Sequence, residues 1–255
     1  MNTDAYLTRI NYHGSLVPTA QTLRGLQTAH LMAVPFENLS VHSGEAIVLE
    51  DEALFAKIVG RRRGGYCYEL NGLFASLLRV LGFDVVMLSA EVADAAGGFG
   101  PKFDHMALMV TLEKRWLVDV GFGDSFLEPL LLDEQGEQVQ NERVYRIAPD
   151  GAYLALLQRT SGDGNNEWKA QYRFTLQSHQ YPDYAERCHY HQTSRQSRFT
   201  RARICSKATP DGRLTLSDMR FIATTASGER QERMLSDKEE YEKTLRENFG
   251  IIMNV

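Results

Sequence analysis

The segment "RRRGGYCYELNGLF", Arg61–Phe74, places three arginines and two glycines directly before a cysteine, which an apolar run follows. Apolar side chains recur every three or four residues from Leu70 to Leu81, so the pattern predicts a helix. Cys67 lies at the start of this helix, and Gly82 is placed to end it in the left-handed conformation. The segment therefore predicts a thiol at a helix N-terminus, reached through a tight polar turn.

The position of Cys67 favours a reactive thiol over a structural one. A helix N-terminus carries about half a positive charge and presents unpaired N–H groups, and both favour a thiolate. Gly64 and Gly65 allow a tight turn and the close approach of a ligand. A buried structural cysteine is common, but it needs neither the glycines nor the arginines. We therefore interpret Cys67 as a nucleophile with a lowered pKa.

The bulk composition excludes several classes of protein. The chain has 255 residues, which allows two or three compact units, and its net charge of -5 argues against a generic nucleic-acid surface. Its apolar runs are far shorter than the roughly 20 residues that a membrane-spanning helix needs, and its first residues do not resemble a signal peptide. The three cysteines, at positions 67, 188 and 205, form no C-x-x-C pair, so we expect no metal site and a cytoplasmic protein with reduced thiols.

Helical spacing dominates the first third of the chain. The segment "PTAQTLRGLQTAHLMAVP" predicts a helix that begins near Pro18 and Thr19 and is stopped by Pro35. In "LEDEALFAKIVGRRR", Asp51 is the expected N-cap of a second helix. With the helix after Cys67, these segments predict an N-terminal helical unit.

After Gly82 the apolar period changes to two, which predicts strands. The segments "FDVVMLSAEV", "HMALMVTLE", "RWLVDVGFG", "VYRIAP", "AYLALLQR" and "KAQYRFTLQ" share this period. No long helical pattern separates them, so we expect a mostly antiparallel sheet that can close into a barrel. Near the end, "RLTLSDMRFIATT" predicts a hairpin, and Ser236 and Glu239 have the spacing of a capping box before a last helix that Gly250 ends.

A thiol nucleophile needs a base and a group that orients the base. His105 is the first histidine after Cys67 and begins a predicted strand. Asp119 lies in the apolar segment "WLVDVGFG", where a carboxylate is costly unless it has a partner. Taken singly, His105 reads as a loop residue and Asp119 as a turn residue, but together with Cys67 they favour a Cys-His-Asp triad. The residues alone do not separate acyl transfer from peptide hydrolysis.

Three motifs resemble those of the arylamine N-acetyltransferases. The segment around Cys67 is similar to the family's R-G-G-x-C-x-E-x-N signature. Pro35–Asn38 matches its P-F-E-N motif, and Asp119–Gly123 matches its D-x-G-F-G motif, in the same order along the chain. A weaker similarity continues through "HQTSRQSRF" and "PDGRLTL".

The resemblance implies an α+β fold with a papain-like Cys-His-Asp core. An N-terminal helical bundle (residues 1–83) would carry the nucleophile, a central antiparallel β-barrel (84–188) would carry the histidine and the aspartate, and an α/β lid (189–255) would follow. It also implies an enzyme that carries an acetyl group from acetyl-CoA to arylamines, arylhydrazines or N-hydroxyarylamines in a ping-pong reaction. Acetyl-CoA would be a co-substrate, with no permanently bound cofactor. No nucleic-acid or membrane partner is implied, and we expect a monomer or a weak homo-oligomer.

The resemblance assigns a role to each matching residue. Cys67 is the nucleophile, His105 the base and Asp119 the orienting group. The expected substrate-binding residues, which line the cleft or lie beside the CoA arm, are Phe36, Phe122, Gly123 and Phe199.

We expect Glu37 and Arg63 to support the site. Glu37 has apolar neighbours, so burial would require a cationic partner, and Arg63 stands on the turn that leads to Cys67. For the CoA phosphates, the candidate cations are Lys102, Arg195, Arg198 and Arg201, and the Gly-rich loop at residues 95–103 is a further candidate. Asp104 departs from the family, in which many members have a hydroxyl residue before the histidine, and its carboxylate would repel the phosphates.

Three alternatives stay open from the sequence. A cysteine hydrolase of papain or transglutaminase type shares the triad, and an amide synthase of macrocycle biosynthesis shares the fold. A catalytically silent binding module is the third alternative, and the intact triad argues against it.

Overall fold

The first part of the chain is helical. The computed structural model describes residues 1–160 and 167–253. The N-terminal helices are α1 (Thr3–Arg9), α2 (Ala20–Ala33), α3 (Leu39–Ser43), α4 (Asp51–Phe55), which continues as a π-helical turn (Ala56–Gly60), and α5 (Cys67–Val80). The α2 helix begins as predicted, because the Thr19 side chain caps it by accepting a hydrogen bond from the Thr22 amide at 3.2 Å. Gly82, with φ of +90°, follows the end of α5 in the left-handed conformation, also as predicted.

The predicted cap of α4 was wrong by one residue. Glu50 occupies the N-cap position, and Asp51 is the first helical residue. The Asp51 carboxylate instead accepts hydrogen bonds from Ser76 Oγ on α5 and from Tyr181 Oη, the latter at 2.9 Å. Asp51 therefore ties α4 to α5 and to a distant turn.

An antiparallel sheet of eight strands fills the middle of the chain, as predicted. Its strands are β2 (Asp84–Val92), β3 (His105–Thr111), β4 (Arg115–Val118), β5 (Leu130–Leu131), β6 (Gln138–Gln140), β7 (Arg143–Asp150), β8 (Tyr153–Thr160) and β9 (Lys169–His179), in the order β5-β4-β3-β2-β9-β8-β7-β6. The side-chain amide of Gln138 on β6 bridges to β5, accepting from the Leu131 amide at 2.7 Å and donating to the Leu131 carbonyl at 2.9 Å. The two edge strands thus meet through side-chain contacts, and the sheet is a nearly closed barrel.

Strand β3 is the junction between the barrel and the helices. Met106, Leu108 and Val110 belong to the apolar core that includes the buried face of α5, whereas Ala107 belongs to the core inside the barrel. Successive side chains on a strand point to opposite faces, so β3 serves both cores. Residues at the start of β3 consequently lie close to the start of α5.

The last part of the chain forms a second sheet with short helices. Its elements are a 3₁₀ turn (Tyr181–Tyr184), α6 (Ala185–Thr193), α7 (Arg198–Arg201), β10 (Ile204–Thr209), β11 (Gly212–Ser217), β12 (Arg220–Thr225), β13 (Arg230–Met234) and α8 (Lys238–Thr244), which a π-helical turn (Leu245–Phe249) extends. The predicted hairpin is β11–β12. Strand β1 (Phe36–Glu37) joins the same sheet as its edge, with Phe36 opposite Ser206 of β10. The P-F-E-N motif therefore belongs to the lid sheet and not to the helical unit that precedes it in sequence.

The capping box expected at Ser236 and Glu239 is shifted by one residue. Asp237 is the N-cap of α8 and accepts from the Glu240 amide at 2.9 Å, while the Glu240 carboxylate accepts from the Ser236 amide. Gly250, with φ of +69°, ends the helical segment as predicted.

The mixed composition of helices and antiparallel sheets confirms the predicted α+β class. The division into units at residues 83 and 188 stays a prediction, and the second of these boundaries lies inside α6. No helix in the described part of the chain is long and apolar enough to cross a membrane.

Candidate active site

Cys67 is the first residue of α5, and its side chain is buried at the end of a turn that only glycine permits. A Cβ atom at Gly64 would lie 2.0 Å from the carbonyl oxygen of Pro35, far inside contact distance. Gly65 pairs with Phe36, and its carbonyl accepts the Glu37 amide at 2.8 Å. The close approach of these two segments explains Gly64, whereas a Cβ atom at Gly65 would lie 2.8 Å from Glu69 Cβ in the first turn of α5.

Asp119 follows β4 and is a buried carboxylate with four hydrogen bonds. Its Oδ2 accepts from His105 Nε2 at 2.7 Å and from Tyr172 Oη at 3.1 Å. Its Oδ1 accepts from Asn71 Nδ2 at 2.9 Å and from the Gly121 amide at 2.8 Å. These donors hold the carboxylate in one orientation and satisfy a charge that would otherwise be costly to bury.

His105 begins β3, and Asp119 fixes its ring. Because Nε2–H donates to Asp119, Nδ1 is the nitrogen that can accept a proton in the neutral ring. The ring lies between Phe122 and Tyr172, with centroid distances of 5.1 and 5.0 Å. Its orientation is therefore set by one hydrogen bond and two aromatic contacts.

Asn71 and Met106 connect the histidine and aspartate to Cys67. Asn71 lies one turn after Cys67 on α5, and its Nδ2 also donates to the Met106 carbonyl at 2.6 Å. The Met106 backbone also acts on Cys67, because it lowers the pKa of the thiol. A Cβ atom at Gly121 would lie 2.7 Å from Cys67 Cα, so the segment after Asp119 packs directly on the start of α5. The structure thus brings the three predicted triad residues to one junction of α5, β3 and β4.

The predicted direction of the Cys67 pKa was wrong. Burial has the largest effect and raises the pKa of the thiol well above its usual value; Asp119 and Asp104 also raise it, while the Met106 amide and Arg198 lower it. The helix N-terminus alone consequently does not produce a thiolate in the closed site.

Two buried ion pairs hold the turn before Cys67. Arg63 donates from Nε to Glu37 Oε1 at 3.0 Å, and its Nη2 lies 2.8 Å from the same oxygen. Lys57 Nζ lies 2.6 Å from Glu69 Oε1, and Glu69 Oε2 accepts from the Tyr66 amide at 3.1 Å. Arg63 is the cationic partner that the sequence predicted for Glu37.

All four residues that were predicted to bind substrate line one cleft of about 480 Å³ between the barrel and the lid sheet. These residues are Phe36, Phe122, Gly123 and Phe199. The Phe36 and Phe199 rings are 6.1 Å apart, and the Phe122 ring contacts His105. The cleft therefore has an aromatic wall that leads to the triad.

Only one of the four cations proposed for the CoA phosphates lines this cleft. Arg198 lines the cleft, and Lys102, Arg195 and Arg201 are not among its lining residues. The Gly-rich loop uses its own N–H groups, because Asp94 Oδ1 accepts from the amides of Ala96 and Gly98, both at 2.8 Å. This loop is folded around Asp94, and these two amides are not available to a phosphate.

Asp104, directly before His105, is a paired carboxylate. Arg187 on α6 donates to its Oδ1 from Nε at 3.0 Å and from Nη2 at 2.5 Å. His191 Nε2 lies 3.3 Å from the same oxygen, so a guanidinium and an imidazole both face this carboxylate. Burial raises the pKa of Asp104, but His191 and Arg187 more than compensate and lower it to about 2. Its charge therefore joins α6 to the start of β3.

Sequence reasoning missed Asn71, Tyr172 and Arg187. Asn71 stands four residues after Cys67, on the same face of α5, so its spacing carried a usable signal. Tyr172 and Arg187 reach the site only through the pairing of β2 with β9 and the docking of α6, which no local pattern indicates.

Comparisons with known proteins agree with this geometry. A family model described as N-acetyltransferase matches residues 19–255. The Salmonella typhimurium arylamine N-acetyltransferase / N-hydroxyarylamine O-acetyltransferase is 34% identical over 98% of this chain and 89% of its own length. The chain belongs to the arylamine N-acetyltransferase family. It is thus an enzyme of the acetyltransferase class, as predicted.

Solved structures share the whole fold with this arylamine N-acetyltransferase family member. The Salmonella structure matches with a TM-score of 0.92 at 33% identity and covers 99% of this chain and 92% of that one. The Mycobacterium marinum arylamine N-acetyltransferase in complex with CoA matches with a TM-score of 0.89, at 33% identity, over 98% of this chain and 93% of that one. Proansamycin X synthase of Amycolatopsis mediterranei is 32% identical over 93% of each chain. Enzymes of this family depend on acetyl-CoA and act on small molecules, so both properties follow from membership of the family. No cluster of potential metal ligands occurs in the described residues.

Proposed function

We propose that this enzyme transfers an acetyl group from acetyl-CoA to aromatic amines, hydrazines or N-hydroxyarylamines through an acetyl thioester on Cys67. The observation that carries the proposal is the buried hydrogen bond of 2.7 Å between His105 and Asp119, beside a thiol at the start of α5 and next to an aromatic cleft. This arrangement provides the three groups that such a reaction needs: a nucleophile, a base and a carboxylate that orients the base.

In the first half-reaction, His105 Nδ1 accepts the Cys67 proton, and the thiolate attacks the carbonyl carbon of acetyl-CoA. The S–C bond to CoA then breaks, and the CoA thiolate leaves with the proton from the imidazolium. Protonated His105 would supply the local positive charge that offsets burial of the thiolate. Asp119 stabilises the imidazolium and holds the ring in the required tautomer.

In the second half-reaction, the amine nitrogen attacks the acetyl-cysteine, and His105 accepts a proton from it. The bond from carbon to Cys67 sulfur breaks, the amide leaves, and the proton returns to the thiol. The aromatic wall formed by Phe36, Phe122 and Phe199 suits the ring of the acceptor, because aromatic rings pack favourably edge to face or offset.

Intact mass spectrometry tests the proposal. Wild-type enzyme mixed with acetyl-CoA alone should gain one acetyl group, whereas Cys67→Ala should gain none. Addition of an arylamine should remove the acetyl group and yield the acetylated amine. A hydrolase with the same triad would lose the group at the same rate without amine, and that result would refute the acetyltransferase mechanism.

The relative named Proansamycin X synthase favours amide-bond synthesis in a macrocycle as the second candidate. A cleft of about 480 Å³ suits a small amine better than a long acyl chain. A panel of acyl thioesters of increasing size separates the two: activity that rises with acyl size would favour the synthase, and activity confined to acetyl and short acyl groups would favour the acetyltransferase.

A further inference from the structure

The cleft has a polar wall in addition to the three phenylalanines. Side chains alternate along β11, so Arg213, Thr215 and Ser217 line the cleft while Leu214 and Leu216 pack in the core of the lid. The cleft is therefore amphipathic, because its lining combines aromatic rings with a guanidinium group among hydroxyls.

Arg213 is held rigidly on the polar wall. Its Nε donates to Asp124 Oδ1 at 3.0 Å, and its Nη1 donates to Ser206 Oγ at 3.1 Å. Its side chain is 12% exposed. In the contacts that the described residues make, no hydrogen bond is assigned to Nη2 or to the second Nη1–H, so three of the five N–H donors of this planar group remain for a ligand.

The charge of Arg213 is only partly compensated. Arg143 binds the same Asp124 carboxylate, with Nη1 at 2.6 Å from Oδ1 and Nη2 at 3.2 Å from Oδ2. Two guanidinium groups thus share one carboxylate, which leaves one net positive charge beside the cleft. Burial lowers the pKa of Arg213; Asp124 raises it and Arg143 lowers it again. A second anion at this position would relieve both effects.

Two other arginines line the cleft, and both have contacts that engage them elsewhere. The Arg198 guanidinium lies over the Phe199 ring, 5.0 Å from its centroid. The exposed Arg230 pairs with Glu232 at 2.9 Å. Arg213 is the better candidate to select a ligand, because its guanidinium is the one held in place on both sides by side-chain hydrogen bonds.

We propose that Arg213 is a specificity-determining residue that binds a carboxylate carried by the acceptor amine, while the acceptor ring lies on the aromatic wall. The carboxylate accepts hydrogen bonds from the free N–H groups of the guanidinium, which match its planar geometry. The proposal rests on the proposed function and names the subclass of acceptor: aromatic amines with an anionic substituent.

Two acceptors that differ only in charge test it. We would compare 4-aminobenzoate with 4-aminobenzamide, which have the same ring and substituents of similar shape. Wild-type enzyme should show a kcat/KM roughly 10- to 100-fold higher for 4-aminobenzoate, the range expected for a charge-assisted hydrogen bond. Arg213→Gln should abolish this preference by lowering kcat/KM for 4-aminobenzoate alone, and Arg213→Lys should keep part of it. Arg220→Gln, an exposed arginine on β12 of the same sheet, is the matched control.

The half-reactions identify which substrate Arg213 serves. The rate of CoA release from acetyl-CoA before amine is added should be the same in Arg213→Gln and wild type. A loss confined to this step would assign Arg213 to the CoA phosphates and overturn the proposal. Equal kcat/KM of the wild type for the two amines would overturn it without any variant, while leaving the proposed function in place. Acetylation of neither amine would overturn both.

Discussion

Glu37→Gln removes the charge of a carboxylate that is completely buried, with a relative exposure of 0%. In the wild type, Glu37 Oε1 accepts from Arg63 and from the Gly64 amide, and Oε2 accepts from the Leu39 amide at 2.6 Å. Both oxygens therefore face N–H donors. Whichever way the glutamine amide turns, its NH₂ group meets a donor and one hydrogen bond becomes a repulsion.

The loss of stability expected for Glu37→Gln follows from the environment of Arg63, the partner that would remain. Its side chain is 7% exposed, and the other carboxylate near it, Glu45, is 3.9 Å away and partly exposed. Removal of one partner of a buried pair costs about 3–5 kcal/mol, because the remaining charge stays buried. For a chain of this size, each kcal/mol lowers the melting temperature by about 2–4 °C, so we expect a decrease of roughly 10 °C.

Urea unfolding and thermal melts at neutral pH measure the effect. Glu242→Gln is the control, because Glu242 pairs with Lys238 at 3.6 Å on the exposed face of α8 and should contribute under about 0.5 kcal/mol. Acetylation of Cys67 should also slow in Glu37→Gln, because the Glu37 segment pairs with Gly65. A melt of Glu37→Gln that overlays the wild type would refute the reasoning.

Three further predictions concern the triad and Asp104. Asp119→Asn should lower kcat/KM for acetyl-CoA by about 10³- to 10⁴-fold, since it removes the charge that stabilises the imidazolium; stopped-flow release of CoA measures this, and near-normal rates would make Asp119 structural. Iodoacetamide at neutral pH should alkylate Cys67 faster than Cys188 and Cys205 in the wild type, and His105→Gln should remove the difference; equal rates of the three thiols in the wild type, by peptide mass spectrometry, would show that His105 does not offset burial. Asp104→Asn should destabilise the fold by about 2 kcal/mol, because the pKa of Asp104 falls from 3.8 to about 2 on folding. A carboxyl group whose pKa is lowered by folding stabilises the fold at every pH above its pKa in the unfolded chain. The difference in unfolding free energy between Asp104→Asn and the wild type should therefore stay constant above about pH 5 and shrink as the pH falls toward 2. A difference that grows in acid would contradict the assignment.

Local patterns predicted those features of the fold that depend on neighbouring residues. The start of α5 at Cys67 and its end just before Gly82 follow from a change of apolar period and a glycine after the C-terminus. Helix α6 was not expected, because its buried residues are Cys188 and His191 and it has no apolar stripe. Periodicity finds a helix by its apolar face, and α6 packs instead through polar and aromatic contacts.

In the candidate site too, local patterns predicted some residues and gave no signal for those that reach the site only through the fold. His105 and Asp119 could be paired from sequence because one begins and the other directly follows two apolar strands that are consecutive along the chain and pair with each other. The contact between Tyr172 and Asp119 joins residues 53 positions apart, and Gln27 reaches the Asp119 amide from α2 at 3.3 Å. The pKa of Cys67 could not be predicted either, because the helix N-terminus is visible in the sequence and the burial that outweighs it is not.

Three buried cations hold the turn before Cys67, and one of them, Arg63, belongs to the run of three arginines in that segment. Arg63 pairs with Glu37, Lys57 pairs with Glu69, and the buried Arg9 donates to the carbonyls of Ile58 and Arg63 at 3.0 and 3.3 Å. Each cation joins the turn to a different element: β1, the first turn of α5 and helix α1.

Apolar contacts alone would let such a turn adopt several packed arrangements, since they are not directional. A buried charge is compatible with few packed arrangements, because each displaced hydrogen bond leaves an uncompensated charge in the protein interior. We therefore infer that these buried charges contribute less to net stability than to the position of the thiol. Replacement of Lys57 and Glu69 together by Met and Gln should then leave the melting temperature nearly unchanged while it slows acetylation of Cys67, whereas a double variant that melts lower and reacts normally would show that the pair is only structural.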